Sequence, residues 1–475
     1  MTTATALRPA ALRRPREAAG DRVPVLQRPL ASYHLVLWAG ASLLVLGLVM
    51  VLSASSVKSY DVNGSSYTVF TRQVVWFALG VPVTLVAVRL PVRVWRWAGY
   101  PLLLASAVGL LLVLVPGVGT HAFGATRWID IGPLQLQPSE PAKLGLALWG
   151  ADLLVRKQKL LHEWKHLLVP LVPVAAFLAA LVMLEPDMGT TIALLLVVVA
   201  LLFVVGAPLR IFGGFVAVVA AAGTLLAVTE PYRLARLTSV SNPCADSLGK
   251  GLQACHGLFA LGSGGWWGEG LGASREKWSY LPNAHTDYIF AIIGEELGLV
   301  GTLLVVGLFG LLGYAGLRVA SRTRDPFVRL AAAAVTTWLV GQAVINMGYV
   351  TGLLPVTGIP LPLISFGGTS LVLTMGSVGM LAAFARTEPG VIEVLAARGP
   401  GRVRRLLAPL RRQRPAATGG TRPVRRPARR RAAAGQARLR RPPRPLRTGD
   451  LPSMTTGARA GPIPAHGTTG DHSRC

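Results

Sequence analysis

The sequence predicts an all-α polytopic membrane protein of about ten transmembrane helices, with both termini cytoplasmic and a large extracytoplasmic loop between helices 7 and 8. Three observations predict it. The 475 residues are 52% hydrophobic and only 15% charged, where a soluble domain carries about a quarter charged residues. The apolar residues fall in runs of about 20, the length that crosses a hydrocarbon core. Basic residues recur in every second connection between those runs, as positive-inside topology requires.

The runs cover 34–54, 71–89, 97–116, 140–155, 167–184, 188–206, 209–228, 286–317, 330–352 and 363–386. The first follows a polar, basic stretch without an apolar core, so it is expected to double as the signal anchor. Arg89, Arg93 and Arg96 follow the second run; Arg156, Lys157, Lys159 and Lys165 the fourth; Arg210 the sixth; Arg318, Arg322, Arg324 and Arg329 the eighth. This parity places both termini inside and requires an even number of spans. The outer connections are then 55–70, 117–139, a tight turn at Glu185–Asp187, the long loop 229–285, and 353–362. The long loop contains LGSGGWWGEGLG followed by mixed charges, which suits a segment that re-enters the membrane or folds over a cavity. The eighth run exceeds one crossing, so it tilts or projects beyond the bilayer. Near the last run Pro355, Pro360 and Pro362 break the helix. Gly367 and Gly368, after Ser365, allow a close backbone approach or a discontinuous helix, and so dense a set predicts a shaped cavity wall.

Three regions follow: a basic, disordered N-tail, 1–33; a membrane domain, 34–386; and a disordered Arg- and Pro-rich C-tail, 387–475. The N-tail sets six Arg against Glu17 and Asp21. The C-tail sets twenty Arg against Glu388, Glu393, Asp450 and Asp471, which leaves only +7 of the net +27 to the membrane domain. Charge so placed fixes topology and attracts membrane lipids. It does not point to nucleic acid, for which no binding module is present. Cys244, Cys255 and Cys475 are too few for a structural zinc site. Cys244 and Cys255 share the long outer loop and are either a disulfide or two free thiols.

Charge inside hydrocarbon costs about 2.5–3.5 kcal/mol per residue on insertion scales, so acids there carry information. LPNAHTDYIFAIIGEELG, Leu281 to Gly298, brings His285, Asp287, Glu295 and Glu296 to the mouth and interior of a helix. Asp287 is expected in its first outer turn, with Thr286 as N-cap. There it either complements the helix dipole or serves as a general base or cation ligand at the edge of a low-dielectric cavity. Glu295 and Glu296 lie about 12–14 Å further along, at 1.5 Å per residue, and suit helix packing better than catalysis. Glu140 and Lys143 share a helix face at the outer start of the fourth run. They are either a neutralising pair that eases insertion or a site where Lys143 meets phosphate and Glu140 holds Lys143 or a cation. Arg127, beside Trp128, is either an interfacial anchor or a phosphate grip. Arg275 and Lys277 add two cations ahead of Asp287, and the turn EPDMGT adds Asp187 on the same side. Arg127, Glu140, Lys143, Arg275, Lys277, His285 and Ser365 thus outline an outward-facing substrate site around Asp287. That site suits a pyrophosphate-bearing substrate at the lipid–water boundary. The chemistry leaves room for a divalent cation, Mg or Mn, on Asp287 and Glu140, and calls for no organic cofactor.

The motifs GATRWIDIGPLQLQPSEPAKL, EPDMGT, REKWSYLPNAHTDYIFAIIGEELG and NMGYVTGLLPVTGIPLPLISFGGTS occur in that order. On them the chain resembles, over residues 34 to 386, the SEDS family of bacterial membrane proteins (FtsW, RodA, SpoVE). The third motif and the basic tail look most like the family's actinobacterial FtsW branch. The resemblance implies a peptidoglycan glycosyltransferase of the cytoplasmic membrane that polymerises lipid II during septal synthesis. It implies Asp287 as the essential acid, Glu140 and Lys143 as a pair near it, and as partners a class B penicillin-binding protein and other division proteins. Rival readings are the elongation paralogue of the same enzyme, a scaffold for division proteins, and a lipid II flippase. A flippase would line a path through the midplane, where only Glu295 and Glu296 stand.

Overall fold

A computed structural model of the chain describes residues 28–122, 125–132, 134–161, 163–229, 243–244, 251–278 and 281–392. The disorder expected of the tails falls almost wholly outside these residues, as does most of 230–250. Each of the ten apolar runs contains α-helix, although residues 286–288 and 363–367 lie outside it and the fifth run is divided. In order the helices are α1 (Ala31–Asn63), α2 (Thr68–Arg89), α3 (Val92–Val113), α4 (Ser139–Arg156), α5 (Trp164–Leu168), α6 (Leu171–Leu184), α7 (Met188–Val205), α8 (Leu209–Thr229), α9 (Leu252–Ser263), α10 (Ile289–Arg322), α11 (Pro326–Val350) and α12 (Gly368–Ala385). Pro170, which has no N–H to donate, separates α5 from α6 within the fifth run. Among the described residues eight helical stretches are long and apolar enough to cross a membrane. Of the remaining two, α4 carries four ionisable groups and pairs them as Glu140–Lys143 and Asp152–Arg156.

The expectation of an all-α chain needs correction. Between α3 and α4 the described residues form a three-stranded antiparallel meander, β1 (Gly119–Ala122), β2 (Ala125–Ile131) and β3 (Leu134–Leu136). Thr126, Ile129 and Ile131 supply β-branched residues to the central strand, and Thr120 Oγ1 donates to Asp130 Oδ2 across the first pair at 2.7 Å. The connection between α3 and α4 thus carries a small sheet.

The interior belongs to α11 and α12, whose apolar windows are 67% and 72% buried. Helix α12 packs on α2, α3 on α4, and α11 on α7, while α10 lies between α11 and α1. At one end of the bundle Arg386 Nη1 donates to the Val88 carbonyl at 3.2 Å, and Arg96 bridges Asp152 (3.5 Å) and Asp325 (3.1 Å). These contacts gather the end of α12, the α2–α3 connection, the end of α4 and the start of α11. That is the end which the basic connections assign to the cytoplasm. The opposite end carries Glu140, Arg127 and Asp287.

Helix α10 is two helices joined at Gly298 (φ 67°, ψ −162°). The break leaves backbone groups without helical partners, a costly state in hydrocarbon. The Gly-rich segment after α9 supplies the partners. Glu269 N–H donates to the Glu295 carbonyl at 2.9 Å and Gly270 N–H to the Glu296 carbonyl at 3.1 Å. The Leu299 and Val300 N–H groups donate to the Gly265 and Trp266 carbonyls at 2.9 and 3.3 Å. Two backbones approach this closely only without side chains. A Cβ at Gly264 would collide with the Gly294 carbonyl oxygen, and one at Gly268 with that of Glu296. The segment re-enters the bundle and packs against the break in α10. Cys244 and Cys255 form a disulfide at the start of this region.

Candidate active site

Asp287 sits two residues ahead of α10, in a turn, and not in the first helical turn. Thr286 is not the N-cap. Tyr288 holds that position without a side-chain cap, and Thr286 Oγ1 donates instead to the Asn283 carbonyl at 3.1 Å. The left-handed Asn283 (φ 58°) closes the turn, accepting also from Thr286 N–H at 3.0 Å. Three consecutive carbonyls then fix the turn to the rest of the protein. That of His285 accepts from Phe366 N–H at 2.9 Å, that of Thr286 from Ser365 Oγ at 2.6 Å, and that of Asp287 from Asn346 Nδ2 and Tyr349 OH, each at 2.9 Å. The half-buried Asp287 carboxylate lies against Gly358, whose Cβ, if present, would stand 3.6 Å from Oδ2. Gly358 has φ 70°, so glycine serves both the backbone and the space.

Helix α11 ties this turn to the Glu140–Lys143 pair. Trp338, Gln342, Asn346 and Tyr349 lie at i, i+4, i+8 and i+11, one helix face. Lys143 Nζ binds Glu140 Oε1 at 2.7 Å and Gln342 Oε1 at 3.3 Å, and stands 5.0 Å from the Trp338 ring centroid. Trp338 Nε1 donates to the same Gln342 oxygen at 2.9 Å. The Gln342 amide donates to the Pro360 carbonyl at 2.9 Å, and the Asn346 amide to the Ile359 carbonyl at 2.7 Å. The loop 358–360 therefore hangs from α11 by the same residues that hold the ion pair on one side and Asp287 on the other. The pair is fully buried, with Lys143 1% and Glu140 2% exposed.

Strand β2 presents Arg127 to the turn between α6 and α7. Its Nη2 donates to the Pro186 carbonyl at 2.6 Å and its Nε to the Glu185 carbonyl at 3.2 Å, while Nη1 is 3.9 Å from Asp187 Oδ2. Asp187 caps α7, accepting from Thr190 N–H at 3.0 Å and Thr190 Oγ1 at 2.8 Å. The first turn of α7 reaches the same loop, since a Cβ on Gly189 would stand 2.9 Å from the Thr357 carbonyl. Glu185 is buried and neither of its carboxyl oxygens has a hydrogen-bond partner. Burial first, then the Asp187 charge, push its pKa up to about 8 against the opposing pull of Arg127, so the group is mostly protonated at neutral pH. The His285 ring packs edge-on to Phe366, and its Nδ1 is buried without a partner. Burial, and secondarily the charge of Lys58, lower its pKa to about 4, leaving a neutral imidazole.

The remaining predicted residues fall deeper. Glu295 accepts from Ser274 Oγ at 2.5 Å and Arg275 N–H at 2.7 Å; Glu296 accepts from Ser53 Oγ at 2.6 Å and Lys277 Nζ at 3.2 Å. Both acids bolt the re-entrant segment to α10 and α1, the packing role expected of them. Lys277, 5% exposed, is part of that bolt, and Lys143 is likewise held in an ion pair. Neither presents an open ammonium to a pyrophosphate. Ser365 positions the Asp287 turn, while the Arg275 side chain is exposed. Sequence reasoning missed Gln342, Tyr349 and Gln73, whose Oε1 accepts from Gly367 N–H at 3.3 Å, and also the exposed Lys58. The signal for the first two was present as polar side chains at one-face spacing on an otherwise apolar helix.

Lys143 takes Glu140 Oε1, while Oε2 is buried without a hydrogen-bond partner, and among the described residues no three His, Cys, Asp or Glu side chains converge as metal ligands.

Long apolar helices, one of them broken at Gly298, and a half-buried carboxylate in a turn pinned through three consecutive carbonyls define a polytopic membrane protein with an acid at one end of its bundle. The sequence model of the "Cell cycle protein" family FtsW/RodA/SpoVE matches residues 34–389, and the chain belongs to that family. It is 45% identical over 382 residues to the "Probable peptidoglycan glycosyltransferase FtsW" of Mycobacterium tuberculosis, covering 80% of this chain and 73% of that protein. The Halorhodospira halophila protein of the same name is 43% identical over 350 residues, with 73% and 88% covered. Among solved structures, one described as "Structural coordination of polymerization and crosslinking by a peptidoglycan synthase complex" superposes with a TM-score of 0.61 at 30% identity, covering 75% of this chain and 98% of that one. Thermus thermophilus RodA superposes with a TM-score of 0.56 at 29% identity, over 74% and 96%.

Proposed function

We propose that this chain is a peptidoglycan glycosyltransferase that polymerises lipid II into glycan strands at the outer face of the bacterial cytoplasmic membrane, during septal wall synthesis. The ten apolar runs would all span, with both termini inside. The observation that carries the reading is the Asp287 turn, anchored through the carbonyls of residues 285, 286 and 287 at the outer mouth of a chain of this family.

Asp287 is the general base. The 4-hydroxyl oxygen of the acceptor sugar attacks the anomeric carbon of the donor, the bond from that carbon to pyrophosphate breaks, and the hydroxyl proton passes to the Asp287 carboxylate, with inversion. The pyrophosphate leaves with both electrons of that bond. It needs charge stabilisation more than a proton, which falls to Arg127, the exposed Arg275 and Lys58. Glu140, Lys143 and Gln342 act through position, by holding the loop that backs Asp287. A class B penicillin-binding protein supplies crosslinking; the description of the matching synthase complex, which pairs polymerisation with crosslinking, supports this partner.

Purified protein given fluorescent lipid II, with and without such a partner, should form glycan polymer. Transbilayer movement of lipid II in vesicles with no polymer in either condition would replace this reading with a transporter.

A further inference from the structure

At the end of the bundle opposite Asp287, a surface cavity of about 370 Å³ is lined by Arg93, Arg96, Trp97, Tyr100 and Arg156. The four α3 residues recur at i, i+3, i+4 and i+7, one helix face, and Arg156 reaches in from the last turn of α4. Two acids lie beside them. Asp152 accepts from Tyr100 OH at 2.7 Å and pairs with Arg156 Nε at 2.8 Å and Arg96 Nε at 3.5 Å; Asp325 pairs with Arg96 at 3.1 Å. Arg96 is thus consumed between two carboxylates. Arg156 engages Asp152 through Nε at 2.8 Å, its guanidinium lies over the Tyr100 ring 5.4 Å from the centroid, and its side chain is 66% exposed. Arg93 makes no ion pair with any described residue. Three guanidinium groups against two acids leave a positive cavity, with the Arg93 fork and the terminal nitrogens of Arg156 available to an anion.

We propose that this cavity binds the phosphate of an anionic phospholipid in the leaflet opposite the active site. Planar guanidinium groups match phosphate oxygens two at a time. Trp97, 70% exposed beside them, is the residue type that sits at headgroup level. Above it the same α3 face continues as exposed Leu104, Val108 and Leu111, an apolar track for an acyl chain leading away from the phosphate. A free phosphate ion would use the arginines and leave that track idle. Sixteen residues of α4 separate Glu140 from Arg156, about 24 Å at 1.5 Å per residue, so the two sites face opposite leaflets. Basic pockets between helices on the cytoplasmic side are where anionic headgroups collect.

The test is native mass spectrometry of the full chain released from phosphatidylcholine membranes containing phosphatidylglycerol. Three proteins are compared: wild type, R93Q/R156Q, and R404Q/R405Q, which removes charge from the C-tail only. The proposal expects one tightly retained phosphatidylglycerol on wild type and on the tail variant. In R93Q/R156Q retention falls about ten- to thirty-fold, from a factor of about five for each basic side chain, with phosphatidylcholine retention unchanged. Equal retention in wild type and R93Q/R156Q, or loss in the tail variant alone, overturns it. Displacement of the lipid by millimolar inorganic phosphate alone overturns the lipid assignment in favour of a free-phosphate site. An R93Q/R156Q protein whose melting temperature in pure phosphatidylcholine also falls is replaced by R93Q alone, for which about a five-fold loss is expected.

Discussion

The side-chain amide of Asn346 donates to the main-chain carbonyl of Asp287 at 2.9 Å and to that of Ile359 at 2.7 Å. One residue on the most central pair of helices thus sets the position of the proposed base and of the loop behind it. Replacing Asn346 by Ala removes both bonds and leaves Tyr349 as the remaining anchor of the Asp287 carbonyl. Polymerisation should fall about 10- to 100-fold, since small misplacements of a reacting group cost that much. The loss should appear in kcat, with lipid II KM little changed, because Asn346 touches no substrate.

Gly358 backs the Asp287 carboxylate with a left-handed backbone. Gly358→Ala introduces about 1–2 kcal/mol of backbone strain and a methyl group in contact with Oδ2. The protein should fold with a slightly lowered Tm and lose most of its activity. Full activity would show that the carboxylate does not need that surface.

Lys277 and Glu296 form a buried pair within the bolt between the re-entrant segment and α10. Among the described residues Lys277→Met leaves Glu296 with the Ser53 hydroxyl alone and should destabilise by about 3 kcal/mol. The double variant K277M/E296L removes both charges and should recover much of that loss in a thermal melt in detergent. A double variant as unstable as the single would show that the pair is held for its hydrogen bonds and not for charge balance.

Two groups outside the spans give opposite pH dependence. Glu185 is raised from 4.5 to about 8, so the folded state binds a proton that the unfolded state releases, and its contribution falls as pH rises from 4.5 through 8. His285 is lowered from 6.5 to about 4, so stability is lost as pH falls from 6.5 through 4. Glu185→Gln, which cannot ionise, should raise the Tm relative to wild type increasingly between pH 5 and pH 8. A Tm difference independent of pH would contradict the buried, unpartnered carboxyl.

The helices were legible because their signal is local: apolar length, and positive charge at every second connection. Asp287 stood out because it interrupts that pattern, although it lies in the turn before the helix and not in its first turn. What the sequence hid depends on distant partners. Ser53 and Glu296 are 243 residues apart, and the break at Gly298 is tolerable only because residues 265–270 supply hydrogen bonds from another segment. Counting cations near Asp287 placed Lys143 and Lys277 on the substrate, but a count does not reveal that each already has a carboxylate. The β-meander was hidden by its short strands and its setting among helices. Asn346 and Gln342 were readable as polar side chains on one face of an apolar helix, but not the carbonyls they serve.

The central claim is that one carboxylate, Asp287, removes the acceptor proton. It is tested most directly by single-turnover polymerisation of fluorescent lipid II by purified Asp287→Asn protein, alongside a lipid II binding measurement on the same sample. Asn keeps the shape and the backbone anchors and removes the base. The account predicts binding within about two-fold of wild type and a rate lower by at least about 10²-fold, the lower range for general-base catalysis. Polymer formed at the wild-type rate by Asp287→Asn would contradict it.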